Sequence, residues 1–321
     1  MSPRRASGRK LIGALLPIIL VIALAFVGLT AWLVYGATRP PRRPYLVTPE
    51  GFRRLSDRGM RATEETWTNR DGTGARGWLL RGAEGSPAVV LLHRYGADRS
   101  WLLNLGVKLN EAMNVTVLLP DLRGHGENPP VEVAGFGSSD AEDVLAAVEY
   151  LKSLRTPQGR ALVGEAFGLY GVEAGAYASL LAAQKNPQVR ALVLDSIPDS
   201  PDDVLASAVN VGTGLDNAAV RFFARVGTRV YFAGGYRNEA ACTVAESLGP
   251  RQVLLLSGED AGPLRQTTEA LMNCFPPQTA REVQTNLPLT GVTLASASPE
   301  QGEVYDRRVI EFFDRALRAN Q

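Results

Sequence analysis

The sequence predicts an α/β domain, a mostly parallel sheet with helices on both faces, preceded by one N-terminal transmembrane helix. Three observations carry that prediction. Continuously apolar runs such as Ala88–His93 (AVVLLH), Val115–Pro120 (VTVLLP) and Ala191–Asp195 (ALVLD) have the composition of strands buried on both faces. Stretches with apolar residues at helical spacing lie between them, and such alternation is the mark of a parallel sheet. Ahead of both, Leu11–Tyr35 carries no charged side chain, and a helix needs roughly 20 apolar residues to cross the hydrocarbon core.

Taken in order, residues 1–10 form a basic tail with Arg4, Arg5, Arg9 and Lys10, and residues 11–36 form the anchor. Pro17 is tolerable in a membrane helix, and Trp32 and Tyr35 suit the interface. A cleaved signal peptide has an apolar region of about 7–15 residues, shorter than this one. Arg39, Arg42 and Arg43 follow the span, so basic residues flank both ends; an inside N-terminus with the domain outside the cytoplasm is the expectation. Residues 37–62 read as a linker, extended and rich in Pro and Arg from Arg39 to Pro49.

From residue 63 to 321 the pattern is that of one domain. Thr66–Thr68 and Gly77–Leu80, divided by Asp71-Gly72, predict a hairpin. Ala88–His93 is a strand, Arg99–Met113 a helix and Val115–Pro120 a strand. Asp140–Leu154 is a helix with Val144, Ala147, Val148 and Leu151 on one face. Phe167–Tyr170 is a strand, Ala174–Gln184 a helix and Ala191–Asp195 a strand. Residues 197–250 are less regular and read as a small helical insertion. Val253–Ser257 and Val292–Ala295 supply two further strands, and Val304–Leu317 closes the chain as an amphipathic helix. The acidic run Asp195–Asp203 (DSIPDSPDD) reads as a solvated loop with a helix N-cap.

Composition excludes several functions. The 321 residues hold 34 basic and 33 acidic side chains, a net charge of +1, whereas a nucleic-acid-binding domain is usually clearly basic. The only cysteines, Cys242 and Cys274, cannot make a disulfide framework or a structural zinc site. They are either one disulfide or two separate buried thiols. No metal-ligand spacing, phosphate loop or dinucleotide fingerprint is present, and no cofactor is expected. Arginine far outnumbers lysine, which suggests a GC-rich bacterial genome.

Four segments, in this order, resemble the α/β-hydrolase family. Leu91-Leu92-His93-Arg94-Tyr95-Gly96 stands where members carry the oxyanion loop. Pro120-Asp121-Leu122-Arg123-Gly124-His125-Gly126-Glu127 is similar to the stretch typical of the lysophospholipase-like and serine-aminopeptidase-like branch. Leu169-Tyr170-Gly171-Val172-Glu173-Ala174-Gly175-Ala176 occupies the place of the nucleophile elbow, and Leu254–Asp260 (LLLSGED) that of the strand bearing the catalytic acid. The resemblance implies an α/β-hydrolase-like sheet and a serine–histidine–acid site.

The residues present depart from that site. In the elbow G-x-S-x-G, small residues permit a strained turn that exposes the central serine. Gly171 and Gly175 keep the turn, but the centre is Glu173, which has no hydroxyl to acylate. The family's base follows the last strand, and Leu294–Glu300 (LASASPE) contains no histidine. The two histidines, His93 and His125, match early scaffold positions of the family. Asp260 is the candidate acid, one position short of the family's place, and Arg94 replaces an oxyanion-loop glycine. The resemblance therefore implies a membrane-anchored hydrolase-fold protein without serine catalysis, binding a small molecule or a partner protein. An active ester or peptide hydrolase using Glu173 and a structural subunit of an envelope complex are the alternatives. Arg94 and Glu173 are expected to face each other as an ion pair, or else to turn outward into solvent.

Overall fold

A continuous helix opens the chain in the computed structural model, which describes residues 4–55, 62–296 and 298–318. This helix, α1 (Arg4–Thr38), takes in both the apolar run and the basic residues from Arg4 onward. Its stretch Leu15–Thr38 is long and apolar enough to cross a membrane. After it come α2 (Pro49–Leu55), β1 (Ala62–Thr68), β2 (Gly74–Leu80), β3 (Ser86–Leu92), α3 (Leu103–Met113), β4 (Thr116–Pro120) and α4 (Ser138–Ser153). Next are β5 (Val163–Val172), α5 (Ala174–Lys185), β6 (Val189–Asp195), α6 (Pro201–Thr213), α7 (Ala218–Tyr231) and α8 (Ala241–Glu246). The chain ends with β7 (Gln252–Gly258), α9 (Leu264–Leu271), β8 (Ala280–Leu287) and α10 (Pro299–Arg318).

The eight strands form one sheet in the order β1-β2-β4-β3-β5-β6-β7-β8. β1 and β2 pair antiparallel, β2 meets β4 antiparallel, and β4 through β8 run parallel. Strands β3, β5, β6 and β7 alternate buried residues onto two apolar cores. On one face Leu92, Leu169, Leu192 and Leu255 pack against Val144, Val148, Leu180 and Val244 of α4, α5 and α8. On the other, Leu91, Tyr170, Val193 and Leu254 pack against Leu103, Val107, Val309 and Phe313 of α3 and α10. Parallel strands carry their C-terminal ends to one edge, where ligand sites of open α/β sheets form.

A third apolar cluster sits at that edge. Leu33 and Ala37 of α1, Val204, Leu205 and Ala208 of α6, and Val220 and Ala224 of α7 close over Tyr95, Phe136 and Ala174. The linker is non-helical over residues 40–48 and is docked on the domain. The Tyr45 hydroxyl donates to Asp121 at 2.7 Å, and the Leu46 N–H donates to the Ser100 hydroxyl at 3.0 Å. Residues 56–61 of the linker and 1–3 of the basic tail lie outside the described residues.

Two further expectations need correction. The last strand is not Val292–Ala295, which is a turn leading into one 3-10 turn, but Ala280–Leu287. That strand lies at the sheet edge with Arg281, Glu282 and Val283 exposed, so it offers no apolar run to read. Asp195 and Ser196 are fully buried rather than solvated; the N-cap does form, Ser200 donating through its N–H and hydroxyl to Asp203. Cys242 and Cys274 are joined as a disulfide.

Candidate functional site

The elbow is built by backbone proximity that only glycine allows. A Cβ on Gly171 would lie 2.2 Å from the Gly175 carbonyl oxygen, and one on Gly175 would lie 2.5 Å from that of Leu92. β5 can therefore turn directly into α5, and Glu173 at the corner is forced to φ 47°, a region costly for a side-chain-bearing residue. Its N–H donates to the Asp195 carbonyl at 3.0 Å, and its own carbonyl accepts from the Tyr177 N–H at 2.9 Å. The corner is rigid, and it presents a carboxyl.

That carboxyl has no hydrogen-bond partner among the described residues. Burial pushes it up to about 7, with the Arg94 charge pulling the other way and Asp195 adding to the rise. The expected Arg94–Glu173 ion pair does not form. Arg94 donates instead to the Tyr95 carbonyl at 3.2 Å, and its guanidinium carbon lies 4.9 Å from the centre of the Trp101 ring. The loop's own carbonyl and a ring face hold the guanidinium, so only its longer-range field reaches Glu173. Glu173 is half-buried, so it is not turned fully outward into solvent as the alternative required.

Both histidines are spent on the scaffold. His93 Nε2 accepts the Leu122 N–H at 3.0 Å, and its Nδ1 lies 2.8 Å from the Arg94 carbonyl. His125 Nε2 accepts the Gly96 N–H at 3.1 Å, and its Nδ1 lies 2.7 Å from the Arg123 carbonyl. Each ring thus has one nitrogen accepting and the other donating, the neutral form. Burial holds His93 down at about 4 and His125 at about 3. Tyr95 is equally committed, donating to the Ala37 carbonyl at the end of α1 at 2.6 Å.

The segment around His125 is also structural. Asp121 accepts from Tyr45 and from the Arg99 N–H and lies near the guanidiniums of Arg76 (3.5 Å) and Arg99 (3.4 Å). Arg123 reaches Asp143 at 2.5 Å and Asp71 at 2.7 Å. Buried charges are retained when so paired, and these pairs tie the loop after β4 to α4 and to the hairpin.

Asp260 follows β7 and points across to the loop after β8. Its Oδ2 accepts from the Thr290 N–H and hydroxyl, both at 2.9 Å, and from the Thr293 hydroxyl. Its Oδ1 is buried with no partner. The loop that would deliver a base delivers threonines.

One buried group escaped the sequence. Asp195, at the end of β6, accepts from the Gly291 N–H at 2.6 Å, from Ser196 at 2.7 Å and from the Tyr305 hydroxyl, which itself meets the Tyr170 hydroxyl at 2.7 Å. Burial raises this carboxyl to about 6 despite those donors. Tyr305 lies on the apolar face of the last helix, where a sequence reading sees only core. Glu173 lines none of three surface cavities of about 530, 470 and 270 Å³.

The family model of the alpha/beta hydrolase family matches residues 89–320. Thiohydrolase aneE of Aspergillus aculeatus is 29% identical over 126 residues, which are 38% of this chain and 37% of that protein. The chain therefore aligns with little more than a third of that relative's length. The Pyrococcus furiosus esterase Pf2001 superposes with a TM-score of 0.62 at 20% identity, covering 87% of this chain and 98% of the esterase. A dienelactone hydrolase from Anabaena variabilis superposes at 0.54 with 15% identity, covering 81% of this chain and all of the other. At such identities the structural likeness concerns the fold.

Proposed function

This chain belongs to the alpha/beta hydrolase family, and from that premise we propose that it has lost serine-hydrolase catalysis and acts by binding a small molecule or partner protein while α1 holds it to a membrane. The observation that carries the reading is the chemistry left at the elbow. Acyl transfer needs a nucleophile and a base within hydrogen-bond reach. The elbow offers a carboxyl, and the two histidines of the chain are bonded through both ring nitrogens to the backbone. Asp260 is bonded to Thr290 and Thr293 and has no base to orient. The Cys242–Cys274 disulfide supports placing the domain outside the cytoplasm, where such bonds persist.

A second reading keeps the protein a hydrolase with Glu173 as its nucleophile. It is favoured by the activities named for the relatives and by a carboxyl raised to about 7, since perturbed groups gather at functional sites. It requires a base to activate water, and no histidine stands near the elbow with a free nitrogen. The test is labelling of the full chain with a fluorophosphonate probe, read by intact mass. No adduct is the expected result; a stoichiometric adduct on any serine overturns the loss of serine catalysis.

A further inference from the structure

We infer that α7 is a second membrane contact, following α1 into the bilayer with its apolar stripe in lipid. The inference rests on the reading of α1 as a membrane anchor. It begins from how closely the two helices pack. A Cβ on Gly227 would lie 2.5 Å from the Thr30 side chain and 2.6 Å from that of Val34, and Phe223 meets Phe26 edge-on with ring centres 4.6 Å apart. As α7 runs from Phe223 to Gly227, its contacts on α1 move from Phe26 to Thr30 and Val34, so the helices run side by side in the same direction.

Length then decides where that contact sits. Only about 15 residues of the apolar run precede Phe26, some 22 Å of helix at 1.5 Å per residue. A hydrocarbon core is about 30 Å thick. To fill it, the part of α1 that touches α7 must also enter the bilayer, and α7 is carried in with it.

The surface of α7 matches that position. Phe222, Val226 and Val230 recur at intervals of four and so share one stripe; all three are exposed, Val230 to 76%. The stripe continues onto exposed Val27 and Tyr35 of α1 across a shared apolar groove of about 470 Å³. Beside it runs a second stripe of Arg221, Arg225 and Arg229, set against two carboxylates, Asp216 and Asp202. Three guanidiniums against two carboxylates leave a net positive edge. An exposed apolar stripe flanked by arginines suits lipid contact, Arg225 and Arg229 reaching the phosphates nearest the domain on their long stems while Arg221 stays paired with Asp216. A protein partner would have to cover this stripe and the lipid-facing side of α1 together, so the bilayer is the occupant that suits both.

The test uses the full chain in vesicles of phosphatidylethanolamine and phosphatidylglycerol. Its native cysteines are joined to each other, so single substitutions Val230→Cys, Phe222→Cys, Val21→Cys and Gln158→Cys accept an environment-sensitive fluorophore selectively. Gln158 lies in the exposed turn before β5, at the sheet edge opposite the elbow. With lipids carrying a spin label on the acyl chain, the probes at 230, 222 and 21 are expected to lose most of their fluorescence and the one at 158 to keep it. Probes at 230 and 222 that match the one at 158 overturn the inference. If the probe at 21 is still quenched the anchor stands without it, and if that probe is unquenched the anchor reading falls too.

Discussion

The Asp260 carboxylate accepts two hydrogen bonds from Thr290, one from its N–H and one from its hydroxyl, both at 2.9 Å. An acid at the end of β7 and a loop after β8 are the two parts that would hold a catalytic base. Here they hold each other.

Asp260 therefore has a measurable structural role. Asp260→Ala leaves the Thr290 N–H and the hydroxyls of Thr290 and Thr293 without their acceptor. A loss of about 1–3 kcal/mol in denaturant unfolding is expected, the usual effect of stranding such groups. Amide exchange at Thr290 should quicken in the same variant.

Glu173 sets a pH dependence of stability. Its carboxyl rises from 4.5 to about 7 on folding because burial disfavours the charge. Between those values the unfolded chain has released the proton and the native one retains it, so stability falls as pH rises through this window. Below it the penalty is absent; above it the full penalty is about 3 kcal/mol. Glu173→Gln should match the parent at about pH 4 and exceed it by up to about 3 kcal/mol at about pH 8. Equal differences at both values would mean that the carboxyl is not held neutral.

Much of the fold was legible because buried parallel strands are apolar throughout. Ala88–His93 and Ala191–Asp195 announce themselves, and β8 does not, because an edge strand carries Arg281 and Glu282. Val292 and Leu294 misled for the opposite reason, being loop residues that pack on the core. At the site, Glu173 and the missing late histidine were readable from position. The Arg94 geometry was not, because a long side chain beside a ring and a carbonyl has several partners to choose from. The pairing of Cys242 with Cys274 and the burial of Asp195 depend on contacts distant in sequence, which no local pattern reports.

The α1–α7 contact makes a pairwise prediction. Gly227→Ala introduces a methyl 2.5 Å from Thr30, whereas at Gly28 an added methyl meets nothing within 4 Å. Gly227→Ala should destabilise by about 1–3 kcal/mol through overpacking, and Gly28→Ala should stay within about 0.5 kcal/mol. Thermal unfolding of both variants checks it.

The disulfide ties α8 to the chain just beyond α9, closing a separation of 32 residues. Reduction is expected to lower stability by roughly 2–4 kcal/mol. Protein purified without reductant should show no free thiol when unfolded and two after reduction. Two free thiols without reductant would remove the support for an extracytoplasmic domain.

Turnover is the most direct measurement of the proposed loss of catalysis. The full chain and Glu173→Gln are compared on activated short-chain esters and thioesters. Both are expected to run at the uncatalysed rate, because neither has a base positioned to activate serine or water. Turnover by the parent that disappears in Glu173→Gln would contradict this and make Glu173 the nucleophile of an active hydrolase.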